Sequence, residues 1–224
     1  MMKQFVVLVA GGQGTRMQGT LPKQFLPLAG EPVLAHTLRR FNLPGLEIIL
    51  VMHSDYFEYW KELRQTLPEI PEHSLVAGGK TRAGSVANGL SQVPAGSLVA
   101  VHDAVRPLCS KELIYRLFDA AEKNGSAVPV IPCRDTLRLL DEQGSRTVPR
   151  EKYCAVQTPQ VFYTDVLKAA FQLPGTEQFT DEASLFEAAG NTVHLEAGEE
   201  SNVKLTFPSD LILAEAFLRG ENQF

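Results

Sequence analysis

Apolar runs of strand length recur along the chain with helical stretches between them, and this alternation limits the fold more than any other feature. The runs are QFVVLVA at 4–10, EIILVM at 47–52, SLVA at 74–77, SLVAV at 97–101 and AVPVI at 127–131. In 33–41, Val33, Leu34, Thr37, Leu38 and Phe41 fall on one helical face; in 110–121, Leu113, Ile114, Leu117, Phe118 and Ala121 do the same, with Ser110 placed to cap the helix. Strands apolar on both faces need cover on both, and successive parallel strands need right-handed helical crossovers. The expected class is therefore α/β: a Rossmann-like, mostly parallel sheet covered by helices on both faces.

The pattern breaks at 132–152. There a short apolar run (Leu137, Leu139, Leu140), a turn-like Asp141 to Gly144 and a second, polar strand predict a β-hairpin without a core of its own. Such an excursion is a lid, a disordered insertion or an arm that docks on another subunit. Beyond it, 164–172 and 181–189 read as short helices and 203–207 (VKLTF) as a strand. Pro208 opens a last helix to about 219, proline being at home in a first helical turn. With no repeat, low-complexity tract or long linker, residues 1–224 read as one domain with the hairpin arm inside it.

Composition narrows the partners. A net charge of -5 argues against nucleic acid or an anionic membrane as the main partner, since both reward a basic surface. An anionic small molecule remains if a few cations gather in one cleft. The three cysteines form no C-x-x-C pair and read as reduced thiols of a cytoplasmic protein. The N-terminal apolar run is too short for a signal-peptide core or a membrane span.

In an open α/β sheet, ligands sit at the carboxyl ends of the strands, which singles out 10–23, 78–85 and 102–107. At the first, AGGQGTR supplies Gly11, Gly12 and Gly14, which let consecutive N–H groups converge on an anion. It is not a Walker A loop, since no Gly-Lys-Ser/Thr follows at the required spacing. SLVAGGKT at 74–81 mimics the end of that motif but has Ser74 at the first glycine position. Nor is it a dinucleotide fingerprint: Met17 occupies the third small position and no acidic residue ends the second strand, so a nicotinamide dehydrogenase is a weak reading. Arg16 and Lys23 add two cations to the loop, suited to phosphoryl transfer, where positioning and electrostatics do most of the catalysis. A solvated loop with two unremarkable cations is the plainer alternative.

At the third junction, VHDAVRP places His102, Asp103 and Arg106 just past a buried strand. Asp103 would bind a magnesium ion directly or through water, and Arg106 would clamp a phosphate; alternatively the two pair with each other to close the turn. At the second, GGKTRAGSVANGL begins with paired glycines and continues as a helix, with Ser85 turned toward a ligand or the helix start serving no ligand.

Together, AGGQGTRM, PKQFLPLAGEPVLAHTL, GGKTRAGSV, VHDAVRP, AVQTPQVF, TDEASLFEAAG and NVKLTFPSDLILAE cover the chain from end to end. In this combination the sequence resembles the 2-C-methyl-D-erythritol 4-phosphate cytidylyltransferase family, of the nucleotide-diphospho-sugar transferase type. The resemblance implies that Ala10, Gly11, Gly12, Gln13 and Gly14 wrap CTP, with Gly79, Ser85, Asp103 and Ala104 completing the nucleotide site. It implies that Arg16 and Lys23 steady the pentavalent α-phosphate. It assigns the methylerythritol phosphate site to Arg106, Arg150, Thr158, Thr180 and Lys204, with Thr136 reaching a neighbouring subunit's site. It further implies Mg2+ and a homodimer clasped by the hairpin. Val9 and Gly11 stand where the family usually has proline and a second alanine, and Lys80-Thr81 replaces an acidic pair. The expected reaction is in-line transfer of CMP from CTP to the sugar-alcohol phosphate. The alternatives are another polyol phosphate, such as ribitol 5-phosphate, as acceptor, or a non-catalytic nucleotide-binding protein.

Overall fold

A computed structural model describes residues 2–10, 21–142 and 144–221. In chain order its elements are β1 (Gln4–Val9), the two-residue strands β2 (Pro27–Leu28) and β3 (Glu31–Pro32), α1 (Val33–Arg40), β4 (Leu46–Met52), α2 (Phe57–Gln65), β5 (Ser74–Ala77), α3 (Arg82–Ser91), β6 (Leu98–Asp103), α4 (Lys111–Asn124) and β7 (Ser126–Pro132). The hairpin β8 (Leu137–Asp141) and β9 (Gly144–Val148) follows, then β10 (Cys154–Val156), β11 (Gln160–Tyr163), α5 (Thr164–Ala170), α6 (Glu182–Ala188), β12 (Leu195–Ala197) and α7 (Pro208–Glu221).

The sheet grows outward from β1, which pairs in parallel with β4 on one side and β6 on the other; β5 adds in parallel to β4. Past β6, the antiparallel β11 is wedged between β6 and β7, and β7 also pairs with β10 and β12. Successive side chains of a strand leave on opposite faces, so the apolar run of β1 feeds two cores. Val6 and Leu8 meet Leu34 and Leu38 of α1 and Leu113, Leu117 and Phe118 of α4. Phe5, Val7 and Val9 meet Val86 and Leu90 of α3, Leu167 of α5 and Phe186 of α6. That double burial is why these strands read as near-continuous hydrophobic runs.

Helix starts follow local chemistry. The side chains of Ser110, Thr81 and Asp181 accept from the amides of Leu113, Gly84 and Ser184, capping α4, α3 and α6. α3 lies close on the sheet because Gly89 has no side chain: a Cβ there would stand 2.5 Å from Val7 Cγ1 and 2.9 Å from Val51 Cγ2.

The hairpin forms as expected, its register running from Leu137 opposite Val148 to Asp141 opposite Gly144. It makes a two-stranded sheet separate from the main one. Leu140 is 76% exposed and Leu139 43%. One expectation fails: 203–207 is not a strand. Its backbone touches the body through Leu205 N–H, which donates to Val105 O at 2.9 Å, and it runs as an irregular strap over the turn after β6. The terminal parallel strand is β12 instead, and β10, β11 and β12, of three or four residues each, carry too little pattern to be read in advance. Among the described residues, no helix is long and apolar enough to cross a membrane.

Candidate active site

The floor of the site is backbone. Val9 and Asp103 are partners at the ends of β1 and β6, and the ladder continues one residue further: Ala10 N–H donates to Val51 O (2.8 Å) and Ala104 N–H to Val9 O (3.0 Å). Both alanines are buried. Gly11, Gly12, Gln13, Gly14 and Arg16 lie outside the described residues. Lys23 opens a short 3₁₀ turn held from three sides. Its ammonium donates to Thr206 O (2.9 Å), Gln24 Nε2 donates to Ala10 O (2.8 Å), and Phe25 meets Tyr56 at a tilt and Tyr59 edge to face, with ring centres 5.5 and 5.0 Å apart.

At the second junction, Gly79 N–H donates to Ser85 Oγ (3.0 Å) and the Ser85 hydroxyl donates to Thr81 O (2.9 Å). Ser85 is buried, and its hydroxyl closes the turn that launches α3. Gly79 fits only as glycine, since a Cβ would lie 2.7 Å from the Gly84 carbonyl carbon. Thr81 is the α3 cap.

The third junction carries most of the charge. Asp103 N–H donates to Thr158 Oγ1 (3.1 Å), leaving that hydroxyl to donate to His102 Nδ1 (3.2 Å); His102 Nε2 then donates to Arg106 O (3.1 Å). Arg106 Nη1 donates to Asn202 O (2.8 Å), and Asn202 Nδ2 returns to Thr158 O (2.9 Å). This closed ring fixes one neutral tautomer of His102, and burial pulls the imidazole down to about 4.

The ring aims the Asp103 carboxylate into a cleft of about 200 Å³ lined by Arg82, Asp103, Arg106, Thr158, Thr180 and Lys204, with Val156, Gln157, Gln160 and Asp181. Lys204 Nζ lies 2.7 Å from Asp103 Oδ2; Arg82 Nε and Nη2 lie 3.4 Å from Oδ1; Arg106 Nε stands 3.9 Å from Oδ2. Burial opposes the charge on Asp103, but Arg82, Lys204 and Arg106 outweigh it and hold the carboxyl well below the usual carboxylate range. The turn-closing pair of Asp103 and Arg106 is thus present but long, and the buried Arg106 Nε makes no hydrogen bond.

The structure therefore gathers Asp103, Arg106, Thr158, Thr180 and Lys204 in one cleft. Thr136 and Arg150 stand apart with the hairpin, Thr136 exposed just before β8 and Arg150 donating to Arg134 O (2.6 Å). Four residues were not singled out in the sequence: Arg82, Glu182, Gln157 and Asn202. Arg82 and Glu182 sit inside quoted motifs, but each looks like an ordinary charge in the first turn of a helix, and nothing in a spacing of one hundred residues foretells their pairing. Among the described residues, no group of three or more His, Cys, Asp or Glu side chains is placed to hold a metal ion. Asp103 is a single carboxylate already crowded by three cations, so these residues do not fit a resident divalent ion on protein ligands alone.

Residues 4–220 match the 2-C-methyl-D-erythritol 4-phosphate cytidylyltransferase family. An enzyme of that name from Bacteroides thetaiotaomicron is 47% identical over 219 residues, covering 97% of this chain and all of the relative. Two solved structures superpose closely. The 4-diphosphocytidyl-2C-methyl-D-erythritol synthase of Anaerococcus prevotii does so with a TM-score of 0.83 at 30% identity, covering 97% of this chain and 96% of that one. The 2-C-methyl-D-erythritol 4-phosphate cytidylyltransferase of Thermus thermophilus does so with a TM-score of 0.78 at 34% identity, covering 98% and 100%.

Proposed function

The chain belongs to the 2-C-methyl-D-erythritol 4-phosphate cytidylyltransferase family, and we propose on that premise that its cleft transfers CMP from CTP to 2-C-methyl-D-erythritol 4-phosphate. It is a nucleotidyltransferase. The observation that carries the reading is the convergence of Arg82, Arg106 and Lys204 on Asp103 at the carboxyl edge of the sheet, beside the alanine that leads into the glycine-rich loop. An acidic chain has gathered three of its cations at the place where, on this reading, a phosphate is received.

A phosphate oxygen of the acceptor attacks the α-phosphorus of CTP; the new P–O bond forms as the bond to the β-phosphate oxygen breaks, and pyrophosphate leaves with that electron pair. The attacking oxygen is already ionised at neutral pH, so no general base is needed. The work left to the protein is alignment of two anions that repel each other. Arg16 and Lys23 are assigned to the α-phosphate, each worth roughly 3 kcal/mol in the transition state. Arg106, Thr180 and Lys204 receive the acceptor's phosphate end, and Arg150 joins them. Thr158 serves through the Asp103 turn, since its hydroxyl is engaged with His102. Gly79 and Ser85 shape the nucleotide side.

Magnesium is assigned as the triphosphate's own counter-ion, which Asp103 would meet directly or through water. The arm is read as the clasp of a homodimer, because it forms a sheet separate from the main one with Leu139 and Leu140 exposed, and Thr136 and Arg150 stand away from their own cleft. On the same reading residues 1–224 form one nucleotidyltransferase domain, working in the cytoplasm with Cys109, Cys133 and Cys154 as thiols.

The test is pyrophosphate release across the four nucleoside triphosphates with methylerythritol phosphate or ribitol 5-phosphate as acceptor. Turnover should be highest with CTP and methylerythritol phosphate and should collapse in Lys23→Ala while the fold persists. Faster turnover with ribitol 5-phosphate would reassign the acceptor; CTP binding without pyrophosphate release would overturn the reading.

A further inference from the structure

Glu182 is the deepest acidic group near the cleft, 2% exposed, yet it does not line the cleft and no step of the proposed reaction uses it. Both its oxygens are taken by one guanidinium: Arg82 Nη1 donates to Oε1 at 2.7 Å and Nη2 to Oε2 at 2.9 Å. The adjacent edge of that guanidinium, Nε and the shared Nη2, faces Asp103 Oδ1 at 3.4 Å. Arg82 thus forms part of the cleft wall, with Glu182 behind it and Asp103 beside it. Arg82 begins α3, which follows the Gly78-Gly79 turn, and Glu182 begins α6, directly after Thr180 and Asp181 of the cleft.

A buried ion pair is seldom kept for stability, because desolvating two charges consumes most of their attraction. Its value here lies in what it does to Asp103. That carboxylate offers Oδ1 to Arg82 and Oδ2 to Lys204. If Lys204 turned to an incoming phosphate, Arg106 Nε, 3.9 Å from Asp103 and itself assigned to that phosphate, could not alone shield the buried carboxylate from the substrate's repulsion, and Asp103 would need a counter-charge of its own. Arg82 supplies that counter-charge, and Glu182 prevents Arg82 from following the phosphate itself.

Resting on the function proposed above, we propose that Arg82, backed by Glu182, is a positioning residue of the transfer: it pins Asp103 by one oxygen so that Lys204 is released from the other to the acceptor phosphate, and it locks the nucleotide-side start of α3 to the acceptor-side start of α6. Lysine would not substitute, since an ammonium cannot hold Glu182 by two parallel bonds and face Asp103 with another edge.

The test is the double variant Arg82→Met/Glu182→Leu. Replacing both partners of a buried pair with apolar residues of similar size is commonly neutral or stabilising, and in the unliganded cleft Asp103 keeps Lys204 at 2.7 Å and Arg106 at 3.9 Å, so the variant should remain folded and melt near the wild-type temperature. Its kcat should nevertheless fall roughly tenfold to hundredfold, as misplacement of reacting groups does, and its KM for methylerythritol phosphate should rise. A pair with a merely structural role predicts the opposite: stability regained together with wild-type kcat and KM, and a folded double variant with kcat within about twofold of wild type overturns the proposal. If the double variant melts early, Arg82→Lys decides: it should stay folded with lowered kcat and raised acceptor KM, and unchanged values for both overturn the proposal. A wild-type chain releasing no pyrophosphate from CTP and methylerythritol phosphate overturns the underlying reading as well. An active wild type with an equally active double variant overturns this inference alone.

Discussion

Adding one methyl group at Gly89 should measurably loosen the protein, and the size of the effect follows from where α3 lies. A Cβ built there meets Val7 Cγ1 at 2.5 Å, Val51 Cγ2 at 2.9 Å and Val7 Cγ2 at 3.3 Å. Carbon atoms in good contact sit about 3.5–4.0 Å apart, so the worst overlap is about 1 Å. Neither valine can retreat: both are fully buried, stiff at χ1, and anchored on neighbouring strands at the centre of the sheet. α3 must therefore lift. Overpacking costs about 1–3 kcal/mol, and an overlap of about 1 Å against two immobile side chains belongs in the upper half of that range, about 2–3; alanine returns about 1 kcal/mol over glycine inside a helix, for a net loss of about 1–2 kcal/mol. In a chain of this length that lowers the melting temperature by roughly 2–8 °C. The assay is thermal unfolding of Gly89→Ala beside Gly220→Ala, whose Cβ meets nothing within 4 Å and which should melt at or slightly above wild type. Because α3 begins at Arg82, Gly89→Ala should also raise the acceptor KM. A Gly89→Ala protein as heat-stable as wild type would refute the packing argument.

Acid should unfold the wild type faster than a His102→Gln variant. The buried imidazole is pulled down to about 4 from an ordinary 6.5, so the unfolded chain binds the extra proton between those values. This contribution is complete above pH 6.5 and drains away as pH falls toward 4; between pH 7 and 4.5 the wild type should lose about 2–3 kcal/mol more unfolding free energy than the variant. His36 and His73, also lowered by burial, act alike in both proteins, and parallel urea titrations with no difference in slope would sink the prediction. On the dimer reading, Leu139→Asp/Leu140→Asp should shift the chain to monomer in light scattering and raise the acceptor KM, because the arm carries Thr136. A variant that remains dimeric removes the arm from the interface.

The centre of the sheet was legible because burial on both faces leaves a continuous hydrophobic run, and β1, β4 and β6 are buried along most of their length. The strap at 203–207 shows how the same signal misleads. Alternation in VKLTF is real: Val203 and Leu205 pack with Leu28, Val33 and Leu108, while between and beyond them Lys204 reaches Asp103 and Thr206 O receives Lys23. A period of two reports that a segment has one wet and one dry side, and a strap with no neighbouring strand satisfies it as well as a ladder does. The antiparallel β11 escaped for a different reason. Its four residues follow a turn held by the side chains of Gln157 and Asn202, and no local pattern encodes insertion between β6 and β7.

In the cleft, the sequence could supply cations only one at a time, each with a plausible solvated alternative. What it could not express is that three of them, from the start of α3, the turn after β6 and the strap, share one carboxylate. That sharing has a chemical consequence on the proposed reading. Three cations brought together with no anion would repel one another and splay; Asp103 holds them near the positions they need while the cleft waits. When a phosphate arrives, Lys204 exchanges one oxyanion for another, so the change costs little reorganisation, which is where a preorganised electrostatic site gains over water. The exchange works only if Asp103 keeps a counter-ion. The Arg82 and Glu182 pair, illegible as a pair across one hundred positions, is the part of the fold that guarantees it.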